Sequence, residues 1–147
     1  MVPQQDGHCS VGQIVRTVPT PLGSVIAAFY NLREHEVPDQ VADLDLVEER
    51  LISILFVLPG LLKSGVWKVI GEQLPRHLDR MTLLTVLEKR RFVGAEVIGG
   101  GIVRQFLDAY FGLAAWDDWA DPAYLDGLLL SPDKRPVNLI FKSKDVQ

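Results

Sequence analysis

Leu51-Ile52-Ser53-Ile54-Leu55-Phe56-Val57-Leu58-Pro59-Gly60 is the run on which the fold turns. With a helical period, Val47, Leu51, Ile54, Leu55 and Leu58 line one stripe, and a helix from Leu46 to Leu58 would bury it. As extended chain, Ile52 to Leu58 is a short buried strand stopped by Pro59-Gly60. The β-branched and aromatic content and the shortness of the run favour the strand. The protein is then organised around a sheet.

Toward the N-terminus the pattern supports this. Val11 to Tyr30 reads as two extended segments separated by Pro19-Thr20-Pro21-Leu22-Gly23, where two prolines and a glycine stop a helix and favour a turn. Ser24-Val25-Ile26-Ala27-Ala28-Phe29-Tyr30 is apolar on both alternating faces, as in a central strand covered on both sides. The two segments predict a hairpin. From Asn31 to Asp43 the chain turns polar (Arg33, Glu34, His35, Glu36, Pro38, Asp39) and reads as a surface loop. Asp45-Leu46-Val47-Glu48 has the spacing of a capping box, at which a short helix would begin.

Toward the C-terminus, Lys63-Ser64-Gly65-Val66-Trp67-Lys68-Val69-Ile70-Gly71 reads as a strand between tight glycine turns, with Trp67 as a core anchor. Leu74-Pro75-Arg76-His77 is a second polar loop. Met81 to Glu88 and Phe92 to Ile98 read as strands interrupted by Lys89-Arg90-Arg91. The period then changes. Ile102, Val103, Phe106, Leu107, Tyr110 and Phe111 fall on one helical face, with Arg104, Gln105 and Asp108 opposite and Gly112 placed as terminator. Asp121-Pro122 reads as the start of a second helix burying Tyr124, Leu125, Leu128 and Leu129. Val137 to Phe141 is strand-like, and residues 143–147 form a frayed tail. Strands first and helices late predict an α+β fold: a curled, mainly antiparallel sheet, partly closed like a barrel, with two C-terminal helices packed on it.

The length of 147 residues and a hydrophobic fraction of 48% suit a single domain with its own core. The lone cysteine, Cys9, excludes an internal disulfide and a multi-cysteine zinc site and suits a reducing cytoplasm. No secretory signal is read in Met1 to Asp6, and the longest apolar run, broken by Ser53, Pro59 and Gly60, is too short for a bilayer. A formal net charge of −4 argues against nucleic acid as the main partner and is compatible with a basic protein partner.

Catalytic and metal-binding patterns are weak. His8 and Cys9 are neighbours on a strand and would point to opposite faces. His35 and His77 lie in separate loops. Gly99-Gly100-Gly101 lacks the Gly-Lys-Ser/Thr ending of a phosphate loop, and Asp117-Asp118-Trp119-Ala120-Asp121 lacks the ligand order and central glycine of a calcium loop. No nucleophile elbow or His-Glu-x-x-His pattern occurs. No cofactor and no metal are expected. The acidic residues carry more information. No basic residue lies between Arg104 and Lys134, an interval holding Asp108, Asp117, Asp118, Asp121, Asp126 and Asp133. A second set, Asp39, Asp43, Asp45, Glu48 and Glu49, surrounds the capping-box segment. Either these aspartates cap helices and solvate the surface, or they form an acidic docking face with Trp116 or Trp119 as its aromatic anchor.

Three stretches together resemble the immunity protein 26 family of bacterial polymorphic toxin systems: Lys63 to Gly71, with Gly65, Trp67 and Gly71 as its motif residues; Phe92-Val93-Gly94 through Tyr110-Phe111-Gly112-Leu113; and Trp116-Asp117-Asp118-Trp119 with Asp121-Pro122-Ala123-Tyr124-Leu125, continuing to Arg135-Pro136-Val137. Gly12-Gln13-Ile14 resembles that family's opening strand. The first eleven residues and the tail lie outside the similarity. The resemblance implies a cytoplasmic, non-catalytic binder that neutralises a cognate toxin, with an α+β fold; the net charge and the short apolar runs add the expectation of no nucleic-acid and no membrane partner. It brings no binding residues with it, so the expected contact residues are the acidic ones: Asp117, Asp118, Trp119, Asp121, Asp39, Asp43 and Asp45. A regulatory adaptor using Lys89-Arg90-Arg91, or a hydrolase, are the alternative classes.

Overall fold

The structure, a computed structural model, describes residues 1–18, 23–35, 38, 41, 44–74 and 96–142. Its centre is a five-stranded curled sheet in the order β1-β2-β3-β4-β5, formed by Val2–Pro3, Cys9–Val18, Ser24–Glu34, Leu51–Val57 and Val97–Ile98. Neighbours are antiparallel except β4 and β5, which run parallel. A short helix, α1 (Gly60–Lys63), follows β4, and the principal helix, α2 (Gly100–Tyr110), follows β5. The fold is α+β.

The deciding run is a strand. β4 pairs with β3 from Val25↔Val57 to Tyr30↔Leu51, with one register shift. β3 is buried at every position from Ser24 to Tyr30, as its double-sided apolar pattern requires. Val25, Ala27 and Phe29 join one apolar cluster with Trp67, Phe106, Leu107, Trp116 and Leu125, while Ala28 and Tyr30 join a second with Val11, Leu44, Leu46 and Leu51. Each of these large side chains, fully withdrawn from water, contributes about 1.5–3 kcal/mol of transfer free energy. Bulges between Ser10 and Val11 and between Ile14 and Arg16 curl the hairpin.

Several elements differ from expectation. β3 runs on to Glu34, because Arg33 and Glu34 pair with Ser10 and Cys9, so the polar loop starts later than the composition suggested. The residues before Cys9, which lie outside the family resemblance, join the sheet: Val2–Pro3 is an edge strand on β2, and Val2 is buried. The capping box is not made. The turn at Glu48–Arg50 is a single 3-10 turn whose N-cap is Val47, with no side-chain cap.

Lys63 to Gly71 is not a strand. Lys63 ends α1, Gly65 adopts φ 80°, and the Gly65 N–H meets the Leu62 carbonyl at 3.2 Å, a left-handed helix stop. The Trp67 N–H then bonds the Leu61 carbonyl, and the indole turns into the core, 4% exposed, edge-on to Phe29 at 6.4 Å between ring centres. Gly71 is required by close approach: a Cβ there would overlap the Val41 side chain.

α2 buries Val103, Phe106, Leu107 and Ala109, and Gly112 follows it at φ 77°. The expected second helix is a turn followed by the 3-10 segment Leu125–Leu128, which buries Leu125 and Leu128. Gly127 weakens its helical preference, and Leu129 is already extended, which lets the Leu130 N–H reach the Ile52 carbonyl of β4 at 2.8 Å. Of the strand expected at Val137 to Phe141, a single bridge to Ala115 at Ile140 forms, and Val137 is 96% exposed. The strand expected at Met81 to Glu88, the clusters at Pro75 to His77 and Lys89 to Arg91, Phe92 to Gly94 and the tail lie outside the described residues, as do residues 19–22.

Candidate functional site

The C-terminal aspartates fold the segment that carries them. Trp116 is fully buried against Phe106; its backbone N–H bonds the Ile140 carbonyl, and its indole N–H donates to Asp126 Oδ1 at 3.0 Å. It is an internal post, not an anchor for a partner. Trp119 is half-buried and packs on Tyr124, 4.8 Å between ring centres. Asp117 accepts from the Lys142 backbone N–H at 2.7 Å, and Asp118 pairs with the Lys142 ammonium at 2.9 Å, a hydrogen bond that raises the pKa of that lysine. Asp121 accepts the Ala123 N–H at 2.9 Å and starts the turn, as an N-capping side chain would. Asp133 accepts from the Ser131 hydroxyl. Burial, with the nearby charge of Glu96, raises the pKa of Tyr124.

The second acidic set adjoins the first. Leu130 and Leu128 bond to Ile52 and Ser53 of β4, and Lys134 Nζ donates to the Glu48 carbonyl at 3.5 Å across 86 residues of sequence. Asp126 meets Arg135 at 3.5 Å, and Asp45 meets Arg50 at 3.8 Å. The segments joined by these contacts carry eight carboxylates (Asp45, Glu48, Glu49, Asp117, Asp118, Asp121, Asp126, Asp133) and four cations (Arg50, Lys134, Arg135, Lys142). That excess equals the net charge of the whole chain, −4. Asp118 and Asp45 keep more than half of their side-chain surface in water even when paired. Asp39 and Asp43 lie outside the described residues.

Asp108 departs from its expected place. It is 2% exposed, on the inner side of α2, and accepts from the side-chain amides of Gln4 at 3.3 Å and Gln5 at 3.2 Å, with Arg104 4.0 Å away. Gln4 accepts in turn from Arg33 Nε at 2.8 Å, and Arg33 closes on both oxygens of Asp6 at 2.6 Å while lying over the Phe111 ring. The guanidinium holds the Asp6 carboxyl below the ordinary carboxylate range. The His8 backbone N–H donates to Asp6 Oδ1 at 3.1 Å, while its ring Nδ1 lies 3.2 Å from Asp6 without hydrogen-bond alignment and the ring stands 4.8 Å from that of His35. This network straps the N-terminal strand to β3 and α2. A helical pattern that places Asp108 next to Leu107 gives no sign of it, because the partners are supplied by Gln4 and Gln5, more than 100 residues away. Among the described residues no group of three or more His, Cys, Asp or Glu side chains is arranged to hold a metal ion, and no helix is long and apolar enough to cross a membrane.

A cavity of about 400 Å³ was also invisible in the sequence. It lies along β2, between the hairpin and residues 67–73. Comparisons with protein-family models, with curated proteins and with solved structures return no match for this chain.

Proposed function

We propose that this chain is a non-catalytic binding protein that neutralises a basic protein toxin in the cytoplasm, and that the toxin docks on the joined acidic segments. The resemblance of the Trp67 motif and the C-terminal third to the immunity protein 26 family suggests the class. The observation that carries the reading is the convergence of two acidic stretches, 45–49 and 117–133, into one run of contacts with four more carboxylates than cations. Asp45, Glu49, Asp118, Asp121 and Asp133 are its exposed members, with Trp119 and Tyr124 as the adjoining aromatic pair. A toxin that acts on nucleic acid needs a positive active site, and such a surface attracts it over a distance and covers it on contact. Asp117 and Asp126 serve the fold and support the surface from beneath.

Co-expression of this chain with the toxin encoded by the adjacent gene tests the pairing. Restored growth together with co-purification supports it. A toxin that still kills in the presence of folded protein, with no complex recovered, refutes it.

A further inference from the structure

We infer that the cavity along β2 is a binding site for a small, uncharged, ring-bearing apolar molecule. This stands apart from the acidic surface and does not depend on the toxin reading.

The walls are apolar. Val25, Ala27 and Phe29 line it from one apolar cluster and Val11 and Leu46 from the other, with the ring of Trp67 beside them. The side-chain amides in the lining are already used. Gln13 donates to the Gln73 carbonyl at 2.8 Å and accepts from Tyr30 Oη at 3.4 Å, while the Gln73 amide donates to the Val41 and Leu44 carbonyls. These bonds brace residues 67–73 against the hairpin. Three charged groups border it: the exposed Lys68 and Glu72 are of opposite sign, and the Met1 ammonium is already held by the Lys68 carbonyl at 2.9 Å, so the apolar walls rather than a charge select the occupant.

Size narrows the class. Small-molecule sites run from about 300 to 1,000 Å³, and an apolar cavity of about 150 Å³ suffices for benzene. At about 400 Å³ this one has room for two or three rings. Phe29 and Trp67, edge-on at 6.4 Å, offer an aromatic wall. The Trp67 indole N–H is buried with no acceptor, so an uncharged occupant carrying one acceptor atom at that edge would satisfy it.

The test uses two fluorescent probes with one skeleton. N-phenyl-1-naphthylamine is uncharged; 1-anilinonaphthalene-8-sulfonate adds a sulfonate. Titration of the full chain is expected to give saturable one-to-one binding of the uncharged probe, with the sulfonate at least tenfold weaker. Ala27→Leu, which places three more carbons in the cavity, is expected to weaken the uncharged probe at least tenfold without lowering the thermal midpoint. Equal binding of both probes, non-saturable binding, or unchanged affinity in a folded Ala27→Leu variant would overturn the site. Should Ala27→Leu not fold, Val25→Phe fills the same wall, and the comparison of probes on the unaltered chain decides by itself.

Discussion

Trp67 and Trp116 are both core tryptophans, yet replacing each by phenylalanine should have different consequences. The substitution removes two ring carbons and the indole nitrogen, a transfer loss of about 1.5–2 kcal/mol at roughly 0.8 kcal/mol per carbon. At Trp67 the lost N–H is a buried donor without an acceptor, and removing such a group relieves about 1–3 kcal/mol. The terms cancel, leaving Trp67→Phe within about 1 kcal/mol of wild type. At Trp116 the N–H donates to the Asp126 carboxylate at 3.0 Å. Hydrogen bonds to charged groups contribute about 1.5–3 kcal/mol, and the lower end applies because Asp126 is partly exposed and keeps Arg135. Trp116→Phe should therefore cost about 3 kcal/mol. Urea unfolding reads this directly: with a slope of about 1–3 kcal/mol/M, the midpoint of Trp116→Phe falls by 1 M or more while that of Trp67→Phe hardly moves. Equal shifts, or a larger one for Trp67→Phe, would refute the assignment of the two indoles.

Asp108→Ala leaves the amides of Gln4 and Gln5 without their acceptor and should lower stability by about 1–3 kcal/mol, measured by the same unfolding curves. Gly71→Ala pushes a methyl group into Val41 and should cost about 1–3 kcal/mol, partly recovered in the Gly71→Ala/Val41→Ala double variant, so a double-mutant cycle with no coupling would contradict the contact. The folded-state pKa of Asp6 is depressed by Arg33, so its contribution is fully present above the unfolded carboxylate value of about 3.9 and is lost as pH falls through the lower folded value. Asp6→Asn should accordingly be less stable than wild type at pH 7, and the gap should close on acidification below about pH 4.

Patterns that depend on near neighbours were readable in the residues. The double-sided apolar run at Ser24 to Tyr30, the β-branched run of β4 and the helical stripe from Ile102 to Phe111 each state their own period, and each forms the expected element. The stretch around Trp67 misled because its glycines fit either a strand between turns or a helix stop; Pro59-Gly60, read as the end of β4, in fact also opens α1, and Gly65 closes it. Residues 121–129 carry helix-start chemistry, but the bond from Leu130 to Ile52 draws the chain to the sheet after one 3-10 segment. The candidate surface was half legible. Composition revealed the acidic excess, whereas the meeting of residues 45–49 with 126–134 depends on packing against β4, which no local pattern encodes. The same is true of the buried Asp108, whose partners come from the other end of the chain, and of the cavity, which is space between elements and leaves no trace in sequence.

The most direct test of the proposed docking surface is the association rate of the cognate toxin with this protein at about 10 mM and about 150 mM salt, where the screening length falls from roughly 30 to 8 Å. Wild type is expected to lose at least tenfold in on-rate between the two conditions, in line with electrostatic steering of about 10- to 1,000-fold. The Asp45→Asn/Glu49→Gln/Asp118→Asn variant should start slower at low salt and lose less. An on-rate that ignores salt, or a variant that associates as fast as wild type, would contradict an acidic docking surface.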